Sequence, residues 1–211
     1  MFELEYKGAN CVIITTKKAK IVVDPRLSIV GMKDVSTKDA VELCTESRFS
    51  VNSRDANIMI EGPGEYGVAG LDIKGIACQR HLDSEKDSKQ STIYRIEAGD
   101  LRVGLIGNIY EKLSDEQLEK LGVIDILIIP VGGNGYTLDA SGAASLVRLI
   151  DPKIVIPVHY ADSSIKYEVP QSGLDLFLSE ISAPVEKVSK YKLKQLPITQ
   201  TGLSIIEVTR S

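Results

Sequence analysis

The amino-acid sequence predicts an α/β protein in which two β-sheets pack face to face with helices on their outer surfaces. Three observations support this fold class. The first half reads as a series of short strands, the second half alternates amphipathic helices with fully apolar strands, and the C-terminal part returns to strand-like segments. This order of elements is typical of layered domains in which helices cover stacked sheets.

The N-terminal half contains short segments rich in β-branched residues, separated by turn formers or charged pairs. Residues 98–100 (Ala-Gly-Asp) predict a hairpin turn between two of these segments. The stretch GPGEY, residues 62–66, is interpreted as a turn because it contains two glycines and a proline. The predicted strands are residues 2–6, 11–16, 20–24, 58–60, 71–77, 91–97 and 101–106.

The second half contains three helical patterns. Ser114 and Gln117 predict a capping box at the start of the first helix, and Gly122 predicts its C-terminal end. The other two amphipathic patterns are residues 139–150, which Pro152 closes, and residues 172–181.

Two continuous apolar runs, residues 124–130 and 154–158, predict strands that are covered on both faces. Residues 184–208 read as further strand-like segments, and the basic stretch at residues 187–194 is interpreted as a solvated strand face. The sequence shows no linker or internal repeat, so we expect a single domain over residues 1–211.

Composition and charge argue against several classes of function. The formal net charge is −4 and the isoelectric point about 5.3, whereas a nucleic-acid-binding protein normally carries a basic face. No apolar run approaches the roughly 20 residues that a membrane-spanning helix needs, and the N-terminus has no secretory signal pattern. Cys11, Cys44 and Cys78 are odd in number and far apart. We therefore expect a cytoplasmic protein with no nucleic-acid or membrane partner.

Five stretches of the sequence resemble the metallo-β-lactamase superfamily, and more narrowly its L-ascorbate-6-phosphate lactonase-like branch of small metal-dependent hydrolases. In chain order they are YKGANCVIITTKKAKIVVDPRL, IMIEGPGEYGVAGLDIKGIA, TIYRIEAGDLRVGLIGN, IDILIIPVGGNGYTLDA and PKIVIPVHY. The resemblance implies an αββα four-layer sandwich with a site at one edge between the sheets, and hydrolysis with zinc or manganese as cofactor. It also implies that His159 occupies the position of the last metal ligand.

The chain departs from the family pattern where most of the metal ligands belong. Family members carry an HxHxDH loop after an apolar strand, and the matching residues here are Thr45, Ser47, Phe49 and Ser50. The ligand Asp of a Gly-Asp dipeptide matches Asn108, and a further ligand His matches either Arg80 or His81. Zinc needs three or four N, O or S ligands, so we expect the metal centre to be lost, and any residual metal binding to depend on His81 and His159. Without a cofactor to activate water, no catalytic residue is predicted.

The sequence leaves three functions open. The favoured one is non-hydrolytic binding of a small anion by Arg80, Asn108 and His159. Backbone N–H groups of the glycine-rich loop at residues 132–135 would assist, although a tight turn explains these glycines somewhat better. The alternative is a lactonase-type or phosphodiester-type hydrolase with an atypical or mononuclear metal site, drawn from Cys44, Glu46, Cys78, His81 and His159. The third is a scaffold role, and the resemblance also implies a homo-oligomer.

Overall fold

Two mixed β-sheets pack face to face in the computed structural model, which describes residues 1–82, 91–194 and 202–211. The strands are β1 (Phe2–Gly8), β2 (Cys11–Thr16), β3 (Lys20–Val23), β4 (Val41–Leu43), β5 (Ile58–Ile60), β6 (Gly64–Val68), β7 (Leu71–Cys78), β8 (Ser91–Ala98), β9 (Leu101–Leu105), β10 (Ile126–Pro130), β11 (Ile154–Val158), β12 (Val185–Val188), β13 (Tyr191–Leu193) and β14 (Ser204–Val208). Within the described residues, one sheet has six strands in the order β13-β1-β2-β3-β4-β5, and the other has eight in the order β12-β14-β11-β10-β9-β8-β7-β6.

The described part of the chain contains three α-helices, α1 (Asp115–Leu121), α2 (Ala140–Ile150) and α3 (Leu174–Ile181). The predicted capping box is confirmed, because the Gln117 N–H donates to Ser114 Oγ at 3.2 Å and the Ser114 N–H donates to Gln117 Oε1 at 2.8 Å. Helix α2 begins after Asp139, whose carboxylate accepts a hydrogen bond from the Gly142 N–H at 2.7 Å. None of the described helices is long and apolar enough to cross a membrane.

The main core lies between the two sheets. Burial alternates along β1, so that Phe2, Leu4 and Tyr6 face the partner sheet, as expected for a strand covered mainly on one face. Every residue of β10 and β11 is buried, because the described helices pack on the outer face of the eight-stranded sheet. The two continuous apolar runs therefore gave a correct prediction of strands covered on both sides.

The outer face of the six-stranded sheet is covered differently. Within the described residues, a 3-10 turn at Leu27–Val30 and irregular chain around Ile165 pack on Cys11 and Val22 of this sheet. The expected α/β sandwich of two face-to-face sheets is confirmed, and within the described residues the layer outside the six-stranded sheet is reduced to this turn and the neighbouring loops.

Two strands were missed by the sequence prediction. Gly64 begins the edge strand β6, so only Gly62 and Pro63 of the GPGEY stretch lie outside a strand. Strand β4 has three residues, too few to show a period of two. Part of the predicted C-terminal strand region, residues 195–201, lies outside the described residues.

Candidate functional site

Asp24 and His159 line the same small cavity at one edge of the sandwich, where strands of both sheets end. Asp24 directly follows β3 of the six-stranded sheet, and His159 directly follows β11 of the eight-stranded sheet. Both have a left-handed backbone, with φ of 44° and 52°. That conformation costs a non-glycine residue about 1–2 kcal/mol and is concentrated at functional sites, so this edge is the candidate site.

We call this edge the cleft, defined by a small cavity whose lining includes Asn10, Asp24, Phe49, Tyr136 and His159. The cavity has a volume of about 20 Å³, which is room for about one water molecule. The cleft is therefore almost filled by its own side chains.

Thr45 holds the carboxylate of Asp24. The backbone N–H and the hydroxyl of Thr45 each donate a hydrogen bond of 2.7 Å to one of the two carboxylate oxygens. Burial raises the pKa of Asp24 to about 7, and the two hydrogen bonds from Thr45 act in the opposite direction. A Cβ on Gly107 would lie 2.7 Å from the Thr45 side chain, so Gly107 allows the second sheet to close over this pair.

The other three residues matched to the family's ligand loop, Ser47, Phe49 and Ser50, lie in or directly after the 3-10 turn Ser47–Phe49, and their side chains point to different surroundings. Ser47 is exposed to solvent. Phe49 is buried and lines the cleft. Ser50 is buried, but its hydroxyl donates to Glu42 Oε1 at 2.5 Å. The structure thus brings Phe49 into the cleft and directs Ser50 to a different carboxylate.

His159 is a neutral imidazole enclosed by aromatic rings. Its Nδ1 lies 3.2 Å from Oε1 of Gln171, whose Nε2 donates to the Val169 carbonyl at 2.7 Å. Oε1 is therefore the acceptor and Nδ1 carries the proton, which leaves Nε2 as an acceptor. Burial lowers the pKa of His159 to about 4. The rings of Tyr136 and Tyr167 lie 5.5 Å and 4.9 Å from the imidazole.

Asn108 is joined to the cleft by a hydrogen bond with Asn10, which lines the cavity. The Asn10 Nδ2 group donates to Asn108 Oδ1 at 2.9 Å. The remaining amide atoms, Asn10 Oδ1 and Asn108 Nδ2, are buried and have no hydrogen-bond partner among the described residues. An unsatisfied buried polar atom costs about 1–3 kcal/mol, so this pair would gain from a group that offers both a donor and an acceptor.

Glu46 links two arginines at the rim of the cleft. Its Oε2 lies 2.8 Å from Arg48 Nε and 3.6 Å from Arg80 Nη1, while its side chain is only 2% exposed. Burial raises the pKa of Glu46, and both arginines act in the opposite direction. Arg48 also donates to the Tyr136 hydroxyl at 2.9 Å, and its guanidinium lies 4.7 Å from the centre of the Phe49 ring.

His81 lies next to this network. Its ring centroid is 6.4 Å from that of Tyr110, and its backbone N–H donates to the Asn108 carbonyl at 2.9 Å. Its Nδ1 atom is buried without a hydrogen-bond partner in the described part of the chain. Of the two alternatives left open by the sequence, Arg80 is the residue that joins the ion pairs of the cleft rim.

The glycine-rich loop at residues 132–135 positions Tyr136. Its Gly133 N–H donates to the Leu138 carbonyl at 2.9 Å, and the Tyr136 N–H donates to the Gly133 carbonyl at 3.3 Å. A Cβ on Gly132 would lie 2.2 Å from the His159 carbonyl oxygen. These contacts favour the tight-turn interpretation of the loop over a cradle for an anion.

Sequence reasoning missed Asp24, Arg48 and Tyr136 as site residues. Asp24 carried a usable signal, because it is an acidic residue at the end of an apolar strand. Arg48 and Tyr136 carried none, since 88 positions separate them in the chain.

The described side chains of the cleft do not fit a zinc or manganese centre. Zinc needs three or four N, O or S ligands. Across residues 1–82, 91–194 and 202–211, no group of three or more His, Cys, Asp or Glu side chains could hold a metal ion. Cys44 and Cys78, considered for a rebuilt site, are both buried, and burial raises the pKa of the Cys44 thiol far above its usual range. A thiol that keeps its proton is a poor ligand.

The family model and the curated relatives that match this chain point to the same family. A family model described as the beta-lactamase superfamily domain matches residues 3–159. A UPF0173 protein of Pyrococcus abyssi is 34% identical over 179 residues, which cover 75% of this chain and 83% of the relative. A protein of Methanopyrus kandleri, named a UPF0173 metal-dependent hydrolase, is 26% identical over 209 residues, which cover 83% of this chain and 90% of the relative.

A solved structure from Thermotoga maritima has the same fold. It is described as a candidate zinc-dependent hydrolase of the metallo-β-lactamase superfamily. It matches 99% of this chain and 100% of its own with a TM-score of 0.79 and 24% sequence identity.

Proposed function

The chain belongs to the UPF0173 family of the metallo-β-lactamase superfamily, and on this premise we propose that its cleft binds a small oxyanion without a resident metal ion. In this proposal the protein is a non-hydrolytic relative of the lactonase-like branch. The residues at the HxHxDH positions stabilise the fold there and do not coordinate a metal.

The charge of the cleft rim supports an anionic ligand. Two guanidinium groups, those of Arg48 and Arg80, share the single buried carboxylate of Glu46. Glu168 lies 3.9 Å from Arg48, but its side chain is 55% exposed, and such exposed pairs contribute little. The rim therefore presents guanidinium donors next to a desolvated interior, and such donors bind oxyanions well.

The unsatisfied amide atoms of Asn10 and Asn108 are the observation on which the proposal mainly rests. Hydrogen phosphate carries an O–H donor for Asn10 Oδ1 and acceptor oxygens for Asn108 Nδ2. The cavity of about 20 Å³ is too small for this ion, so binding requires side chains to move outward. Arg48, which packs on Phe49 and is 31% exposed, is one side chain that can do so.

Titration calorimetry of the chelator-treated full chain with inorganic phosphate tests this proposal. We expect the affinity for phosphate to fall roughly fivefold in Arg80→Gln, which is the effect of losing one partly exposed charge. The control is Arg54→Gln, which removes an exposed arginine away from the cleft and should leave the affinity unchanged. Asn108→Asp should abolish phosphate binding, because it replaces an amide donor with a negative charge. Absence of phosphate binding in the unmodified chain, or equal binding in Asn108→Asp, would overturn the proposal.

A second candidate is a metal-dependent hydrolase with an atypical or mononuclear site, and the comparisons favour it over the first. The Methanopyrus kandleri relative bears that name, and the Thermotoga maritima structure is described in similar terms. Elemental analysis of protein purified without chelators separates the two candidates. Near-stoichiometric zinc or manganese, lost on chelation together with lactone or phosphodiester hydrolysis, would establish the second candidate. Well under one ion per chain, with no hydrolysis on adding metal, would support the first.

We also propose that the chain self-associates through β5. Within the described residues this strand pairs only with β4, and Ile58 and Met59 are 37% and 38% exposed on it. An edge strand with exposed apolar side chains is prone to pair with a second copy. Sedimentation velocity should give a dimer that dissociates in Met59→Lys, and a monomeric unmodified chain would contradict this.

A further inference from the structure

A second and larger cavity lies at the opposite edge of the sandwich from the cleft. Its volume is about 610 Å³, within the range of small-molecule sites. Its lining includes the turn before β3 and the first residue of β9, so it lies where these strands begin. The cleft lies where β3 and β11 end. Strands β9, β10 and β11 run parallel to one another, so the start of β9 and the end of β11 are at opposite edges of the sheet.

The walls of this cavity include apolar side chains at the edge of the core between the two sheets. Phe2 of β1 and Leu193 of β13 contribute from the six-stranded sheet. Leu71 of β7 and Leu101 of β9 contribute from the eight-stranded sheet. Phe2 and Leu71 belong to the inter-sheet core itself, and Leu101 and Leu193 pack against it. An aliphatic chain entering here would continue the contacts of that core.

The mouth of the cavity is positively charged. Lys17, Lys18 and Lys194 line it and are exposed, and none of their side chains forms an ion pair with a described residue. Lys18 lies across the β6–β7 turn, since a Cβ on Gly70 would be 2.8 Å from its Nζ atom. Among the described lining residues, Asp100 is the acidic one, so positive charge is in excess on a chain whose net charge is −4.

We propose that this cavity binds a fatty-acid-type carboxylate. The aliphatic chain lies between the leucine side chains of the two sheets, and the carboxylate lies at Lys17, Lys18 and Lys194. Charge complementarity selects the anion, and the apolar walls select an unbranched hydrocarbon tail over a purely polar anion. This site is separate from the cleft and does not depend on the function proposed for it.

Titration calorimetry of the full chain with octanoate and with 1-octanol, a neutral ligand of the same chain length, tests the proposal. Octanoate should bind with a defined stoichiometry near one and several-fold more tightly than 1-octanol. The double variant K17Q/K18Q should lose roughly fivefold in octanoate affinity and almost nothing in octanol affinity, because only the anion contacts the ammonium groups.

The matched control is K33Q/K38Q, which removes two exposed lysines that lie outside the cavity and form no ion pair with a described residue. It should bind octanoate as the unmodified chain does. Ala98→Leu, which adds bulk to the cavity wall, should weaken both ligands. The proposal fails if octanoate does not bind, if octanol binds equally well, or if the control loses as much affinity as K17Q/K18Q. Thermal denaturation of each variant establishes that it remains folded.

Discussion

Thr45 donates two hydrogen bonds of 2.7 Å to Asp24, one from its backbone N–H and one from its hydroxyl. Thr45 stands where the resemblance implies a histidine ligand, yet its hydroxyl is used to hold a buried carboxylate from the neighbouring strand. The pair joins the ends of β3 and β4, and the Thr92 N–H of the opposite sheet donates to the Thr45 carbonyl at 2.8 Å. This position therefore contributes to the stability of the sandwich edge.

The stability of the fold should depend on pH through two buried groups, Asp24 and His159, whose pKa values are shifted in opposite directions. The pKa of Asp24 is raised from its ordinary 3.8 to about 7, so the folded chain holds a proton that the unfolded chain releases, and stability falls as pH rises from about 4 to 7. The pKa of His159 is lowered from 6.5 to about 4, so stability is lost as pH falls from about 6.5 to 4. The two effects oppose each other between pH 4 and 6.5.

Asp24→Asn should remove the first effect and leave the second. Stability of this variant should rise between pH 4 and 6.5 by on the order of 3 kcal/mol relative to the unmodified chain, since one pKa unit corresponds to about 1.4 kcal/mol. Urea denaturation at a series of pH values measures the difference. Parallel curves for the two proteins would show that this carboxyl group does not titrate near neutrality.

Thr45→Val should destabilise the fold by about 1–3 kcal/mol, because Asp24 Oδ2 loses its donor inside the protein. Thr45→Ser is the matched control, since it keeps the hydroxyl and loses one methyl group. Denaturation at neutral pH compares the two. A larger loss in the serine variant would mean that packing against Gly107, and not the hydrogen bond, determines the residue at this position.

Phe49→Ala should cost about 3–5 kcal/mol of stability, because it leaves a cavity at a buried aromatic position. Phe49→Leu should cost less, since it keeps most of the apolar volume. Chemical denaturation gives both values. Equal, small losses would indicate that the ring is not packed inside the cleft.

Gly132→Ala should destabilise the chain by about 1–3 kcal/mol or prevent folding, because its Cβ would lie 2.2 Å from the His159 carbonyl oxygen and 2.3 Å from Gln171 Oε1. The control is Gly67→Ala, where no atom lies within 4 Å of the added Cβ, and it should change stability by about 0.5 kcal/mol or less. Thermal denaturation compares them. Similar melting temperatures would mean that the loop moves away from His159 without cost.

Several elements were predictable because their signals are local. The capping box at Ser114 and Gln117 lies within four residues, and the apolar runs that form β10 and β11 need only their own side chains to be recognised. The hairpin between β8 and β9 also followed from its turn residues, and Ala98 pairs with Leu101 across it. Strand β6 was missed because the residues Gly-Pro-Gly carry a turn signal that outweighs the short strand after it.

The site was less predictable than the fold. His159 was placed correctly at the end of β11, but it is neutral because side chains from separate segments, including two tyrosine rings, bury it, while its hydrogen bond with Gln171 acts in the opposite direction. The resemblance to the family's ligand loop implied that Ser50 lies in the cleft, whereas the 3-10 turn directs its hydroxyl to Glu42. Spacing along a loop does not give the direction of a side chain, because the loop conformation is set by its tertiary contacts.

The layered α/β fold and most strand and helix positions follow from the sequence alone. The three-dimensional fold was needed to show that Arg80 joins Glu46 and Arg48, that Thr45 holds Asp24, and that a cavity with apolar walls and a basic mouth lies at the far edge. Periodicity and capping act over a few neighbouring residues, so they can be read along the chain. Ion pairs, buried hydrogen bonds and cavities depend on distances between residues that only folding brings together.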